Sequence, residues 1–133
     1  MAAIVADTHA AIWYLTDNPK LSEAAARALD EASASGDPIF IPSISLVELT
    51  YLVEKGRIPS DARKKLVDVL ALPDSRYELA PLDGAVAAAV ELIDRNLVPD
   101  LPDRVIAATA LARSAALANR DGKIRASQVQ VIW

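Results

Sequence analysis

The chain has 133 residues, 53% of them hydrophobic, with 18 acidic and 14 basic side chains and no cysteine. That length fits one domain around one core, and the lack of cysteine excludes disulfides and thiolate metal sites. The net charge of −4 runs against the positive balance usual for nucleic-acid binders, so any contact with nucleic acid must rest on a local basic patch or on metal ions.

No apolar run reaches the length of a membrane span. The opening "MAAIVADTHA" lacks the basic segment and longer apolar segment of a signal peptide. A single domain over residues 1–133, cytoplasmic and with no membrane role, is therefore expected. There is no internal repeat and no low-complexity linker.

In chain order, "AAIVA" (2–6) is a short apolar run of the kind that forms a buried parallel strand. Asp7 and Thr8 follow, then "HAAIWYL" as a helix. "LSEAAARALDEASAS" (21–35) has helical spacing with Ser22 as N-cap, and Gly36-Asp37-Pro38 breaks it. "IFIP" (39–42) is a second strand. Ser43 or Ser45 is expected to cap a helix that runs to about Lys55 and ends at Gly56. "PSDARKKLVDVLAL" (59–72) is amphipathic. "YELAPL" (77–82) alternates as a strand does, and "DGAVAAAVELIDRN" (83–96) reads as a helix capped by Asp83. "PDRVIAATAL" (102–111) is a further amphipathic helix. "AALAN" (115–119) is weakly strand-like, and "QVQVIW" (128–133) alternates clearly.

Strands thus alternate with helices or helix pairs, which predicts a central parallel sheet with helices on both faces. Ligands of such sheets sit beyond the carboxyl ends of the strands, where the strand order reverses. Several acids fall there. Asp7 directly follows the first strand, and taken alone it reads as an N-cap. Asp103 stands in a first turn, where the helix dipole favours an acid. Asp121, in Asn119-Arg120-Asp121-Gly122, has the setting of a turn residue. Asp61, Asp83 and Asp100 read as loop or cap residues. Glu48 differs, because it lies mid-helix on the apolar face of Ile44 and Leu52, four residues to either side. A buried carboxylate needs a partner, either an arginine in an ion pair or a metal or catalytic site.

Carboxylates gathered at one sheet edge repel one another, and a hard divalent cation such as Mg²⁺ or Mn²⁺, which prefers oxygen ligands, relieves that repulsion. The sole histidine, His9, cannot form a two-histidine acid–base pair and reads as a surface or capping residue. One histidine and no cysteine leave no ordinary zinc site. There is no glycine-rich dinucleotide fingerprint and no phosphate loop ending in Gly-Lys-Ser/Thr. Carboxylate–metal chemistry remains, such as water activation for phosphodiester cleavage.

Four blocks, "IVADTHAAIWYL" (4–15), "PSISLVEL" (42–49), "PDRVIAATAL" (102–111) and "LANRDGKI" (117–124), occur in the order in which a PIN-domain ribonuclease of the VapC toxin type carries similar segments. The chain resembles that family over essentially its full length. The third block is the most specific and the fourth the loosest. The resemblance implies a three-layer α/β/α sandwich with a mostly parallel sheet, and RNA cleavage with Mg²⁺ or Mn²⁺. It places Asp7, Glu48, Asp103 and Asp121 at the family's four acidic positions, with Asp7, Asp103 and Asp121 on the metal. Thr8 then hydrogen-bonds within the site, and Arg104 orients the acids or stabilises the fold. Asn119 stands where the family commonly has Thr, and Asn can still hydrogen-bond. Arg120, Lys123 and Arg125 beside Asp121, and Lys55 and Arg57 after the Glu48 helix, are candidate RNA contacts or a solvated face. The implied partners are RNA, a VapB-type antitoxin and a second copy of the chain in a homodimer.

Two other readings fit the same layered architecture. One is a phosphoacceptor domain of receiver or phosphatase type. A haloacid-dehalogenase phosphatase, however, has a second Asp where this chain has His9, and a receiver needs a later phosphoacceptor Asp and a lysine near the end. The other is an inactive PIN binding module that keeps the acids for folding.

Overall fold

The computed structural model describes residues 3–122, 124 and 128–133, with Asp121 as backbone only. Three apolar residues with no polar interruption form β1 (Ile4–Ala6), and all three are buried because both sheet faces are covered. Then come α1 (Thr8–Leu15), α2 (Glu23–Ser35), β2 (Ile39–Pro42), α3 (Ser43–Glu54), α4 (Ser60–Ala71), β3 (Tyr77–Ala80), α5 (Gly84–Val90), α6 (Leu101–Ala112), β4 (Ala116–Ala118) and β5 (Val131–Ile132). A short 3₁₀ turn, Arg120–Gly122, follows β4.

The five strands lie in the order β3-β2-β1-β4-β5, and each neighbouring pair is parallel. From β1 the chain adds β2 and β3 on one side, then returns to add β4 and β5 on the other. The order therefore reverses between β1 and β4, whose register is Ile4 with Ala116, Val5 with Leu117 and Ala6 with Ala118.

Alternation along β1 divides the interior. Val5 faces a core with Phe40, Leu117, Val86, Ile93, Val105 and Ile106, built under α5 and α6. Ile4 and Ala6 face the other core, with Ile39, Ile41, Leu29, Leu49 and Leu66, built under α1, α2, α3 and α4. The result is the expected three-layer sandwich. Ala107, Ala108 and Ala110 of α6 are fully buried, and their small side chains let this helix settle close to the sheet. Leu29, Leu49 and Leu66 are each at most 1% exposed, so truncating one to alanine should cost about 2–5 kcal/mol.

The caps follow local chemistry, with two corrections. Ser22 accepts from the Ala25 amide at 3.1 Å, and Asp83 accepts from Val86 at 3.0 Å. Gly36 ends α2 at φ 75°, and Gly56 follows α3 at φ 72°, a conformation that costs glycine little. The serine cap expected for α3 is not formed. Its N-cap is Pro42, Ser43 is already helical and its Oγ accepts from the Leu82 amide at 3.0 Å, and Ser45 is wholly buried. The helix expected over residues 83–96 ends at Val90. Leu92 and Ile93 continue as tight turns onto the Ala89 and Val90 carbonyls, and Arg104 takes over the freed acceptors. One of its guanidinium nitrogens, Nη2, donates to Val90 O at 2.9 Å and to Ile93 O at 2.8 Å.

Candidate active site

The crevice at the β1/β4 reversal is where this topology admits a ligand. Its floor is Asp7, only 6% exposed although its side chain is ionisable. The chain leaves β1 here and turns at once into α1, so Asp7 is both strand end and helix cap. Its Oδ1 accepts from the Ala10 amide at 2.7 Å. Its Oδ2 accepts from Asn119 Nδ2 at 2.8 Å and from the Arg120 amide at 2.7 Å. The Asp7 amide itself donates to Ala118 O at 2.9 Å. Burial pushes the Asp7 carboxyl above its ordinary value of 3.8. The hydrogen bonds from Ala10, Arg120 and Asn119 pull the other way, and the nearby Glu48 charge adds to the rise.

Thr8 carries the site to the next acid. It is buried, and its hydroxyl donates to Glu48 Oε1 at 2.6 Å. Glu48 comes from α3, half-buried rather than sealed in the core. It accepts from this hydroxyl, with no arginine ion pair among the described residues. A third side enters from α6. The N-cap of this helix is Asp100, whose Oδ2 accepts from the Asp103 amide at 3.1 Å. Asp100 is thus the cap, and Asp103 lines the cavity.

These groups line one open cavity of about 320 Å³, bounded by Asp7, Thr8, His9, Glu48, Asp100, Asp103, Ile106, Asn119 and Arg120. Of the acids expected there, Asp7, Glu48 and Asp103 converge. Asp121 has its backbone in the adjoining 3₁₀ turn, but its side chain lies outside the described residues, as do Lys123 and Arg125. Arg104 is directed to the carbonyls at the end of α5. Asn119 bonds in two directions. Its Nδ2 holds Asp7, while its Oδ1 accepts from the Ile124 amide at 2.6 Å.

The donor set suits a hard cation. Carboxylate oxygens dominate, with no thiolate and one imidazole. A carboxylate offers about four acceptor positions, and Asp7 fills three of them. Among the described residues, no three acidic or imidazole side chains come close enough together to enclose a cation.

Two side chains escaped the sequence reading. His9, expected at the surface or as a cap, lines the cavity, and its Nε2 lies 3.4 Å from Arg120 Nη1. Trp13 stands one turn further along α1, with its ring 5.3 Å from the His9 ring. The usable signal was their four-residue spacing directly after Asp7, which puts both on one face of α1.

A parallel three-layer sandwich with acids from separate elements lining one cavity at its strand reversal defines a class of α/β proteins. The chain belongs to the PIN domain family, whose model matches residues 4–128. It is 29% identical over 128 residues to Ribonuclease VapC22 of Mycobacterium tuberculosis, spanning 94% of this chain and 92% of that protein. A segment of 88 residues is 36% identical to the GTP-dependent dephospho-CoA kinase of Haloarcula marismortui, spanning 66% of this chain and 40% of that protein. Among solved structures, a chain of VapBC2 from Rickettsia felis bound to a DNA fragment from its promoter superposes with a TM-score of 0.69 at 22% identity. It covers 97% of this chain and 96% of that one, and the likeness shows the shared fold.

Proposed function

We propose that this PIN-domain chain is a Mg²⁺- or Mn²⁺-dependent ribonuclease and the toxin of a toxin–antitoxin pair. The observation that carries this reading is the convergence of Asp7, Glu48 and Asp103 from β1/α1, α3 and α6 on one open cavity at the β1/β4 reversal. The likeness to a named ribonuclease along nearly the whole chain supports it. Asp7, Asp103 and Asp121 are assigned as metal ligands, and Glu48 as the fourth acid of the catalytic group. A bound ion of this kind supplies Lewis-acid activation of water for phosphodiester hydrolysis. The protein's part is positional. Asn119 and the Arg120 amide hold Asp7, Thr8 holds Glu48, and Asp100 caps the helix that carries Asp103. The Arg120 side chain is assigned to a substrate phosphate.

The kinase reading is not adopted, because the match spans less than half of that protein and the chain has no glycine-rich phosphate loop. A VapB-type antitoxin is the proposed partner, in line with the VapBC2 chain that shares the fold. Assembly as a homodimer is supported by Val47 and Tyr51, one turn apart on α3 and 58% and 62% exposed. Among the described residues no helix is long and apolar enough to cross a membrane, and we place the protein in the cytoplasm. The test is incubation of labelled RNA with the purified protein and Mn²⁺, with and without chelator. Growth arrest on expression, relieved by a neighbouring antitoxin gene, tests the toxin role.

A further inference from the structure

A second pocket opens beside the acid cavity and shares His9 and Arg120 with it. It has a volume of about 260 Å³ and is lined by His9, Trp13, Lys20, Leu52, Arg57, Ile58 and Arg120. Its composition is the reverse of its neighbour's, with three cations and no carboxylate in a chain of net charge −4. The cations come from three separate places, after α1, after α3 and after β4, and two of them bear on the same indole. The Arg120 guanidinium lies 5.6 Å and the Lys20 ammonium 5.9 Å from the Trp13 ring centre. Leu52 and the buried Ile58 supply an apolar wall.

An aromatic ring and an apolar wall ringed by cations match a nucleotide, with a flat base for the ring and an anionic backbone for the cations. We propose that this pocket is a subsite for the nucleotide adjoining the scissile phosphate, with its base against Trp13 and Leu52 and its phosphates on Lys20, Arg57 and Arg120. The strand would pass from this pocket over His9 and Arg120 into the acid cavity. The proposal rests on the ribonuclease reading above and assigns Trp13, Lys20 and Arg57 as substrate-binding residues.

Tryptophan fluorescence tests it without cleavage. In Trp133→Phe, Trp13 is the one remaining tryptophan. A short single-stranded oligoribonucleotide, added with chelator present, should quench it saturably. Lys20→Ala and Arg57→Ala, both at exposed positions, should each lower the slope of log affinity against log salt by about 0.7. With Mn²⁺ they should raise KM and leave kcat near wild type. Trp13→Leu should weaken binding about 5- to 150-fold. Quenching by the oligonucleotide in a protein that cuts no RNA would keep the subsite and remove the ribonuclease reading. Active cleavage with unchanged Trp13 fluorescence, salt slopes and KM would overturn the subsite alone. So would a pocket that answers only to a peptide.

Discussion

Asn119 Nδ2 donates to Asp7 Oδ2 at 2.8 Å, a bond between residues 112 positions apart that ties the end of β4 to the end of β1. It closes the sheet at the point where the strand order reverses, and both partners are buried. The same Asn accepts from the Ile124 amide, so one side chain fixes both the acid and the start of the segment after the 3₁₀ turn. Asn119→Ala should cost about 1–3 kcal/mol by leaving buried polar groups without partners. Asn119→Asp should cost more at neutral pH, because it sets a second carboxylate against Asp7, and the difference should shrink on acidification. Urea unfolding at pH 7 and pH 5 checks both. Equal losses for the two variants at both pH values would mean that the contact does not govern Asp7.

Asp7 makes stability pH-dependent with a definite sign. Its folded pKa lies above 3.8, with burial as the largest cause, so the folded chain binds this proton more tightly than the unfolded chain. The stabilisation from that proton is fully present below the unfolded pKa and is lost as pH rises through the folded pKa. In metal-free buffer, the stability of wild type relative to Asp7→Asn should therefore fall as pH rises from below 3.8 and level off above the folded value. A relative stability that climbs with pH over that window would contradict the burial argument.

Arg104 separates scaffold from site. Its guanidinium holds the Val90 and Ile93 carbonyls at the end of α5. Arg104→Ala should cost about 1–3 kcal/mol by removing both bonds, while the Tm increase on adding Mn²⁺ stays as in wild type. Thermal melts with and without Mn²⁺ decide. A normal melting temperature with a lost metal response would return Arg104 to the acids.

The arginine also marks where sequence reading stops. Strands were legible because "IVA" and "IFIP" are unbroken apolar runs, and helices because Ser22, Asp83 and Gly36 cap or end them by local rules. The end of α5 was not legible. Leu92 and Ile93 keep a helical spacing, yet the helix ends at Val90, where Arg104 from the next helix donates to the Val90 and Ile93 carbonyls. Asp100 was legible as a loop or cap residue and Asp103 as a first-turn acid, and the structure places them so. The acids could be gathered at one edge from topology and family likeness, whereas the bond from Asn119 to Asp7 and the pocket around Trp13 depend on segments brought together only by folding.

Glu48 tests whether the acids are a site or a support. Thr8 donates a hydrogen bond to it, and Gln can accept the same bond. With no stranded cation and one fewer negative charge beside Asp7, metal-free Glu48→Gln should be as stable as wild type or more so. Mn²⁺ should stabilise wild type by mass action and the variant less. A metal-free variant that melts far below wild type, as removal of one partner from a buried ion pair would cause at a cost of about 3–5 kcal/mol, would make Glu48 a structural residue.

The most direct measurement is cleavage of a labelled single-stranded RNA by the purified chain, with wild type, Asp7→Asn and Glu48→Gln run side by side in Mn²⁺ and in chelator. The convergence of Asp7, Glu48 and Asp103 on one cavity predicts cutting by wild type in Mn²⁺, none in chelator, and a loss of at least about 100-fold in each variant, as expected when a group that stabilises the reacting centre is removed. Cutting that persists undiminished in chelator and in Asp7→Asn would contradict the account.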